Sequence, residues 1–311
     1  MTPGTPAGPA ARSMRILVTG GSGFIGRHVV AALRADGHRV SVADRVDVGD
    51  PDVPCITGEL EDPAVREAAV EAGVDAVCHL AAETSVLGSI ERPAQVHRVN
   101  VDVTAELLEL CRRRGVGCFV TASTNAVVGN VEGTLTERLP LAPLTPYGAT
   151  KAAAEMLMSG YHGAYGLRTV ALRLTNVYGP GMHHKDSFVP RLMRAAAEDG
   201  VVRVYGDGLQ SRDLIHVTDV ARAFSLAVVD WASGPVIIGS GRSHTVLDLV
   251  EAAREATGSP LPVAHEGTKS GEMRAVVVDP GEARRRGFLA QVSLGDGLRS
   301  AWADFAPTTA G

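Results

Sequence analysis

The sequence lacks the features that mark several large classes of protein. It has no apolar run long enough to cross a membrane, which argues against a membrane protein. It has no long basic run and its formal net charge is −5, so nucleic acids and anionic membranes are not expected as partners. Its four cysteines have no C-x-x-C spacing, which favours reduced thiols in a cytoplasmic protein.

The composition is that of a globular chain with a substantial core. Hydrophobic residues make up 45% of the 311 residues, enough for one large domain or two interleaved lobes. Residues 1–13 are rich in Pro, Ala and Gly and lack the apolar segment of a secretory signal. We therefore predict that they form a flexible leader.

Short apolar segments alternate with helical stretches along the chain. This alternation is typical of βαβ units, and nearly continuous apolar strands indicate a parallel sheet covered on both faces. The predicted strands are 14–19, 39–43, 75–80, 117–122 and 169–174, and the predicted helices between them include 24–35 and 94–114. A strand at 236–241, followed by a helix at 245–256, predicts a second and smaller α/β portion.

A glycine-rich turn directly follows the first predicted strand. Gly20, Gly23 and Gly26 are spaced three apart before a helix, and such a turn lets backbone N–H groups approach a pyrophosphate. Asp44 ends the second strand, where a carboxylate can accept hydrogen bonds from a ribose diol and repel a 2′-phosphate. The pattern therefore predicts NAD rather than NADP, although Arg45 opposes that choice. Purely structural glycines are the alternative.

Tyr147 and Lys151 are the candidate catalytic pair. They lie four residues apart on a predicted helix and so share one face. A tyrosine hydroxyl with a pKa of about 10 is a poor base, but a nearby ammonium and a positive nicotinamide ring favour the phenolate. We expect Tyr147 to accept the proton of a substrate hydroxyl as hydride leaves the carbon.

These motifs together resemble the extended short-chain dehydrogenase/reductase family, and within it the NAD-dependent nucleotide-sugar epimerase/dehydratase group, similar to UDP-glucose 4-epimerase. The resemblance runs from about Met14 to Phe305. Its motifs in chain order are Gly20–Gly26, His79–Ala82, Tyr147 with Lys151, Asn176–Pro180, Tyr205–Gly208, Arg212–Val217 and Gly271-Glu272.

The resemblance implies an α/β fold with a Rossmann-type doubly wound parallel sheet and a smaller C-terminal α/β substrate-binding lobe. The NAD-binding domain would cover 14–174, with 205–232 returning to it. The lobe would then comprise 175–204 and 233–311.

The resemblance also implies the members of the site. Tyr147, Lys151 and Thr124 would be catalytic, with Ser123 as the alternative hydroxyl. The cofactor would contact Gly20, Gly23, Phe24, Ile25, Gly26, Asp44, Arg45, Glu59, Leu60, Leu80, Ala81, Ala82, Asn100, Tyr147, Lys151 and Thr175. The substrate would contact Thr84, Ser123, Thr124, Asn125, Tyr147, Asn176, Phe188, Val189, Val204, Tyr205, Arg212 and Lys269.

Two basic residues are expected at the substrate diphosphate. A guanidinium suits that group, and Arg212 matches the arginine that pairs with it. A surface ion pair of Arg212 with Asp213 or Asp219 is the alternative. Lys269 stands where an arginine is usual, and Val276 suggests room for an N-acetyl group in the sugar pocket.

The residues after Thr124 bear on which reaction is catalysed. Related dehydratases carry an Asp-Glu pair there and decarboxylating relatives keep the glutamate, whereas this chain has Asn125-Ala126, which cannot carry out that acid–base work. This favours a UDP-hexose 4-epimerase with a transient 4-keto intermediate. An NAD(P)H-dependent keto-sugar reductase or dehydrogenase is the first alternative, and a dehydratase is less favoured. A small-alcohol or hydroxysteroid dehydrogenase and an inactive NAD-binding regulator are further rivals.

The remaining expectations concern partners and the loop at 183–185. The family dimerises through two helices per subunit, so we expect a homodimer with a four-helix bundle. Its faces would come from Leu107, Leu108 and Leu110 on one helix and from Ala152, Ala153 and Leu157 on the Tyr147 helix. His183, His184 and Lys185 form a basic loop that either meets an acidic substrate group or is simply exposed; no metal site is expected.

Overall fold

The computed structural model describes residues 13–267 and 277–306. Fourteen strands lie within these ranges: β1 Arg15–Thr19, β2 Arg39–Asp44, β3 Cys55–Thr57, β4 Ala76–His79, β5 Cys118–Thr124, β6 Thr134–Leu135, β7 Arg168–Leu174, β8 Asn176–Tyr178, β9 Val202–Tyr205, β10 Ser211–His216, β11 Gly234–Ile238, β12 Ser243–Thr245, β13 Val263–Glu266 and β14 Val277–Val278.

The same ranges contain eleven α-helices and two short helical turns of other kinds. The helices are α1 Phe24–Ala35, α2 Pro63–Ala69, α3 Val86–Glu91, α4 Pro93–His97, α5 Val103–Arg114, α6 Pro146–Tyr165, α7 Phe188–Ala197, α8 Val217–Val229, α9 Val246–Thr257, α10 Gly281–Arg285 and α11 Leu294–Trp302. Arg98–Asp102 form a π-helical turn and Asn125–Val128 a 3₁₀ turn.

Seven parallel strands form the central sheet. Their order is β11-β7-β5-β4-β1-β2-β3, and the direction of the strand order reverses between β1 and β4. In open α/β sheets this reversal opens a crevice at the carboxyl ends of the strands, where ligands bind. The predicted Rossmann-type doubly wound fold is confirmed.

Helices cover both faces of this sheet, as the apolar strands predicted. In β1 the side chains of Ile16 and Val18 face the core formed with α1 and α8, and Leu17 faces the core formed with α5 and α6. This alternation follows from the two-residue repeat of a strand. Both faces of the sheet are therefore buried, and its carboxyl edge is the part left open to a ligand.

A smaller lobe lies beyond the carboxyl edge of the sheet. It contains two- and three-stranded sheets and helices α7, α9 and α11, which share a separate apolar core that includes Leu192, Leu249 and Leu298. The predicted smaller α/β portion is therefore present. No helix of the ranges described is both long and apolar enough to span a bilayer.

Two assignments of segments to lobes differ from the sequence prediction. Gly234–Ile238 pairs with β7 as the outermost strand of the large sheet, although 233–311 was assigned to the smaller lobe. Its run of apolar side chains suits a parallel strand equally well in either position, so pattern alone could not assign it. In 205–232 the return to the large sheet begins only with α8, because β10 pairs with β8 and β12 of the smaller lobe.

The predicted helix over 94–114 is three pieces in the structure. The π-helical turn separates α4 from α5 and contains the buried Asn100. Such turns insert one extra residue per turn and often occur at functional sites. Apolar spacing does not reveal the change, because the periodicity of the flanking helices continues through it.

Candidate active site

Two adjoining clefts open at the carboxyl edge of the large sheet. The Tyr147 cleft, of about 760 Å³, runs from Asp44 past the glycine turn to Tyr147 and Lys151. The Arg212 cleft, of about 640 Å³, lies in the smaller lobe. Val177, Met182 and Ser187 line both clefts, so a long ligand can extend from one into the other.

The glycine turn forms a cradle that any side chain would fill. Gly20 has a φ of +71°, and a Cβ there would lie 2.5 Å from the backbone nitrogen of Ala81. A Cβ on Gly26 would overlap the carbonyl oxygen of Gly20. Helix α1 begins after Gly23 with no side-chain cap and no acidic residue in its first turn. Its first N–H groups therefore suit an anionic diphosphate.

Asp44 lies at the far end of the same cleft. Its carboxylate accepts hydrogen bonds from the backbone nitrogen of Ser22 at 2.9 Å and from that of Val46 at 3.2 Å. These bonds hold a negative charge where a ribose diol would lie. Arg45 is mostly exposed, with its guanidinium 3.9 Å from the carboxylate of Glu83. The lining fits NAD, since the carboxylate is held in place and the arginine is directed to another acid.

Tyr147 and Lys151 line the inner end of the Tyr147 cleft. Helix α6 begins at Pro146 after the cap Thr145, and Ser89 accepts a hydrogen bond from the backbone nitrogen of Tyr147 at 3.1 Å. The ammonium of Lys151 donates to the carbonyl oxygen of Ala122 at 3.0 Å. The two side chains thus lie on one face of α6, against the end of β5.

Burial dominates the pKa values of this pair in the protein alone. Burial lowers the pKa of Lys151 to about 8, and the negative charge of Glu155 opposes that shift. Burial raises the pKa of Tyr147 to about 12, and a hydrogen bond with Thr124 opposes that shift. The lysine was expected to favour the phenolate. Desolvation outweighs that effect here, and a bound nicotinamide ring would add a positive charge that favours the phenolate.

Three polar residues at the end of β5 have different partners. Ser123 donates its hydroxyl proton to Oε1 of Glu155 at 2.5 Å. Thr124 bonds the Tyr147 side chain and accepts from the backbone nitrogen of Ala126 at 3.2 Å. The side-chain nitrogen of Asn125 is buried and has no hydrogen-bond partner in the described part of the chain. Of the two candidate hydroxyls, Thr124 is thus the one in contact with Tyr147.

Asn100 does not line the cleft, in contrast to the prediction that it contacts the cofactor. It is buried, and its amide nitrogen donates to the carbonyl of Glu83 at 3.0 Å and to the hydroxyl of Thr150 at 3.1 Å. Thr150 in turn donates to the carbonyl of Tyr147 at 2.8 Å. The π-helical turn aims this asparagine inward, so it fixes the first turn of α6 rather than a ligand.

Thr124 and Asn125, both predicted to contact the substrate, are not among the residues that line either cleft. The other predicted residues of the described ranges fall into the two clefts. The Tyr147 cleft contains Gly20, Gly23, Phe24, Ile25, Gly26, Asp44, Arg45, Glu59, Leu60, Leu80, Ala81, Ala82, Thr84, Ser123 and Thr175. The Arg212 cleft contains Asn176, Phe188, Val189, Val204, Tyr205 and Arg212. Lys269, Gly271-Glu272 and Val276 lie outside the described residues.

The alternative for Arg212 is an ion pair with Asp213 or Asp219, and both of these acids have other partners. The carboxylate of Asp213 accepts from the backbone nitrogens of Ser240 and Arg242. That of Asp219 accepts from Gln291 and Val292 and pairs with Arg222. Both acids are therefore engaged elsewhere, and Arg212 lines its cleft.

Glu155 and Arg173 shape the site without having been predicted, and Lys185 of the predicted basic loop also contributes to it. Lys185 lines the Tyr147 cleft, whereas His183 and His184 are exposed with their rings 5.2 Å apart. Glu155 and Arg173 form a buried ion pair behind Ser123. A signal for this pair was present: Glu155 follows Lys151 by four residues, and Arg173 is a charge inside an apolar strand.

Comparisons with known proteins agree with this geometry. A family model described as the NAD dependent epimerase/dehydratase family matches residues 16–239. A dTDP-glucose 4,6-dehydratase of Streptomyces niveus is 35% identical over 306 residues, covering 92% of this chain and 90% of that protein.

Two solved structures are also similar over most of the chain. The UDP-glucose 4-epimerase of Thermus thermophilus in complex with NAD has a TM-score of 0.87 at 34% identity, covering 95% of this chain and 100% of that one. MoeE5 in complex with UDP-glucuronic acid and NAD has a TM-score of 0.86 at 36% identity, covering 93% and 99%. With its glycine cradle, Tyr/Lys pair and adjoining clefts, the chain belongs to the NAD-dependent epimerase/dehydratase family of nucleotide-sugar enzymes, and NAD is the cofactor of that family, as predicted.

Proposed function

We propose that the protein is a UDP-hexose 4-epimerase that works through a transient 4-keto sugar. The observation that carries the proposal is that the cleft lined by Tyr147 joins the Arg212 cleft at Val177, Met182 and Ser187, with an amide and a methyl group at Asn125 and Ala126 in the sequence. A sugar there has a base and a cofactor cradle within reach, but neither of these two residues supplies an acid. Bound NAD would take up the C4 hydride and return it to the other face of the sugar.

The side chains at the end of β5 and on α6 would handle the proton. Tyr147 would accept the proton of the C4 hydroxyl and later return it, with Thr124 holding the reacting oxygen. The ammonium of Lys151, kept near the carbonyl of Ala122, would stabilise the tyrosine's negative charge. Desolvation in the cleft strengthens this interaction relative to water.

Arg212 and Asn176 would hold the substrate diphosphate in the second cleft. The guanidinium can form two parallel hydrogen bonds to phosphate oxygens. The uridine end would lie near Tyr205, against Phe188 and Val204. The match to MoeE5, which was solved with UDP-glucuronic acid, and to a UDP-glucose 4-epimerase supports a UDP-sugar. Room for an N-acetyl group next to Val276 stays a prediction.

A 4,6-dehydratase is the second candidate, favoured by the 35% identity to the Streptomyces niveus enzyme. Removal of water from a 4-keto sugar needs an acid next to the catalytic hydroxyl. Asn125 and Ala126 supply none, and the nearby Glu155 is bound by Arg173 and Ser123. The epimerase is therefore the better supported activity. A keto-sugar reductase would need to exchange its reduced cofactor, NADH or NADPH, after each turnover. The carboxylate of Asp44 disfavours binding of NADPH, because it repels the 2′-phosphate.

We further propose a cytoplasmic homodimer that uses α5 and α6, but with different residues from those first expected. Leu107, Leu108 and Leu110 are buried in the subunit's own core, so they cannot form an outer face. The exposed side of α6 instead presents Met156, 62% exposed, between small residues. The four cysteines are all free thiols, which supports a reducing compartment.

The proposed activity can be tested by incubating the purified protein with a panel of UDP-sugars, without added cofactor, and identifying the products by NMR. An epimerase with tightly held NAD gives the C4 epimer and no net NADH. A product without the C6 hydroxyl would identify a dehydratase. Net NADH formation with a simple alcohol would identify a dehydrogenase.

A further inference from the structure

A buried ion pair lies directly behind the catalytic strand end. Arg173 on β7 bonds Glu155 on α6 through Nε to Oε1 at 3.1 Å and through Nη2 to Oε2 at 2.7 Å. Ser123 on β5 donates to the same Oε1 at 2.5 Å. The side chains of the pair are only 4% and 7% exposed. We call Ser123, Glu155 and Arg173 the Glu155 network.

Stability alone does not explain such a pair. The free energy lost in desolvating two buried charges is about as large as the free energy gained from their attraction. Apolar residues of similar volume often stabilise a fold as well or better. A charge that is kept in the interior is therefore a candidate for a role in a neighbouring site. The group next to this one is the ammonium of Lys151.

Glu155 follows Lys151 by one helical turn, so the two side chains lie on the same face of α6. Lys151 donates to the carbonyl of Ala122, the residue before Ser123, so both side chains reach the same end of β5. Both residues are buried.

Among the described residues, Glu155 is the negative charge that acts on Lys151. His79 on β4 is buried, and burial lowers its pKa to about 3, so it is neutral. Tyr147 is a neutral phenol in the free protein, since burial raises its pKa to about 12. Arg173 adds a positive charge beyond Glu155, and Glu137 is directed to the backbone of Ile237.

We propose that Glu155 is a positioning residue of the reaction, which keeps the Lys151 ammonium charged and in place through the Glu155 network. The proposal rests on the proposed function, in which Lys151 supports the Tyr147 base. Glu155 itself is not among the residues that line the two clefts. Arg173 donates hydrogen bonds to both oxygens of the carboxylate, and Ser123 donates to Oε1.

The direction in which loss of the Glu155 charge would shift the pKa of Lys151 follows from the charges. Burial lowers the pKa of Lys151 and the Glu155 charge raises it, with a balance at about 8. Removing that charge without changing the shape lowers the pKa further, so Lys151 loses its proton at a lower pH. An opposite charge close to an ionisable group shifts its pKa by about one unit or more.

The chain offers a direct measurement, because its only lysines are Lys151, Lys185 and Lys269. Protein labelled with ¹³C at the lysine Cε gives three signals, which K185R and K269R assign. Glu155→Gln keeps the side-chain shape and should lower the titration midpoint of Lys151 by about one pH unit. Glu155→Asp keeps the charge and should restore the midpoint, even where kcat is reduced.

The matched control is Thr169→Val. Thr169 is also buried between β7 and α6, where its hydroxyl donates to the carbonyl of Met158 at 3.2 Å, but it carries no charge. This variant should leave the midpoint unchanged. An unchanged Lys151 midpoint in E155Q overturns the proposal, as does an equal shift in T169V.

A second readout separates this proposal from the proposed function. In E155Q the alkaline limb of kcat/KM for sugar epimerisation should move to lower pH by the same amount as the Lys151 midpoint. If Tyr147→Phe retains full activity, the proposed function fails, while the NMR titration still decides on Glu155. If Y147F is inactive and the midpoint of E155Q is unchanged, the Glu155 proposal alone fails.

Discussion

At the scale of single residues, neighbouring side chains at the end of β5 differ in their hydrogen-bond partners and therefore in the roles proposed for them. Ser123 is directed to Glu155, whereas Thr124 is in contact with Tyr147. Two adjacent hydroxyls that are equivalent in the sequence are therefore different in the folded protein. This difference decides which of them is proposed to hold the reacting sugar oxygen.

Replacement of Thr124 by Val should lower kcat by about 10²-fold, because a single positioned hydrogen bond to a reacting oxygen has roughly that effect. Thr124→Ser keeps the hydroxyl and the bond from the Ala126 nitrogen, and it should retain most of the activity. Steady-state kinetics with a UDP-sugar checks both variants. Equal activity of T124V and T124S would show that the hydroxyl takes no part.

Gly20→Ala should abolish NAD binding. The φ of +71° is strained for alanine and the added Cβ meets the Ala81 backbone, so we also expect a loss of stability of about 1–3 kcal/mol. Gly163→Ala is the control, because a Cβ on that helical glycine meets nothing within 4 Å and alanine is the better helix former. Calorimetric titration with NAD and thermal unfolding measure the two effects. Tight NAD binding by G20A would contradict the cradle assignment.

At the scale of elements, a buried polar chain joins β1, β4 and α5. The hydroxyl of Thr19 bonds Nδ1 of His79 at 2.7 Å, and Nε2 of His79 bonds the hydroxyl of Thr104 at 3.1 Å. Thr104 donates to the carbonyl of Asn100 at 2.8 Å, so Nε2 carries the imidazole proton and Nδ1 accepts. The strand that leads into the glycine turn is thus tied to the π-helical turn that fixes α6.

The buried hydrogen bonds of His79 predict that the stability of the fold depends on pH. Burial lowers the pKa of His79 from 6.5 to about 3, so between these values the unfolded state binds a proton that the folded state does not. Stability contributed by neutral His79 is therefore present above pH 6.5 and lost as the pH falls towards 3. The slope is about 1.4 kcal/mol per pH unit for one proton.

His79→Gln should remove most of that slope, as measured by urea unfolding at several pH values. The exposed His97 provides the control, since H97Q makes the same change of side chain on the surface. The assignment would be wrong if H79Q and the wild-type protein lost stability in parallel between pH 6.5 and 4.

Some elements of the fold could be predicted from the sequence and others could not. Strands β1, β2, β4, β5 and β7 and helix α1 follow from apolar runs bounded by Gly or Asp, and the structure has them within two residues of the predicted limits. The split of 94–114 and the place of Gly234–Ile238 could not be predicted, because they depend on contacts between distant segments. Asn100 faces inward for the same reason.

At the scale of the whole molecule, the strand order brings two clefts together at one edge. The Tyr147 cleft belongs to the large sheet and the Arg212 cleft to the smaller lobe, with Val177, Met182 and Ser187 shared between them. Motif order predicted both sets of residues, but only the folded chain joins them. In the proposed reaction, the substrate and the cofactor would therefore meet at the junction of the two lobes.

The proposed homodimer gives a prediction at this scale. Met156→Glu places a charge on the exposed side of α6 and should convert the dimer to a monomer with its fold intact. Light scattering coupled to size exclusion measures the mass of each form. An unmodified chain that is monomeric at micromolar concentration would refute the dimer, and a dimeric M156E would place the interface elsewhere.

The central claim is that one hydride leaves C4 of a UDP-hexose and returns to the same carbon, with Tyr147 handling the proton. The most direct measurement follows UDP-glucose labelled with deuterium at C4, in ordinary water and without added cofactor, by NMR. We expect the C4 epimer with deuterium still at C4, and no conversion by Tyr147→Phe. A solvent proton at C4, or a product that has lost its C6 hydroxyl, would contradict it.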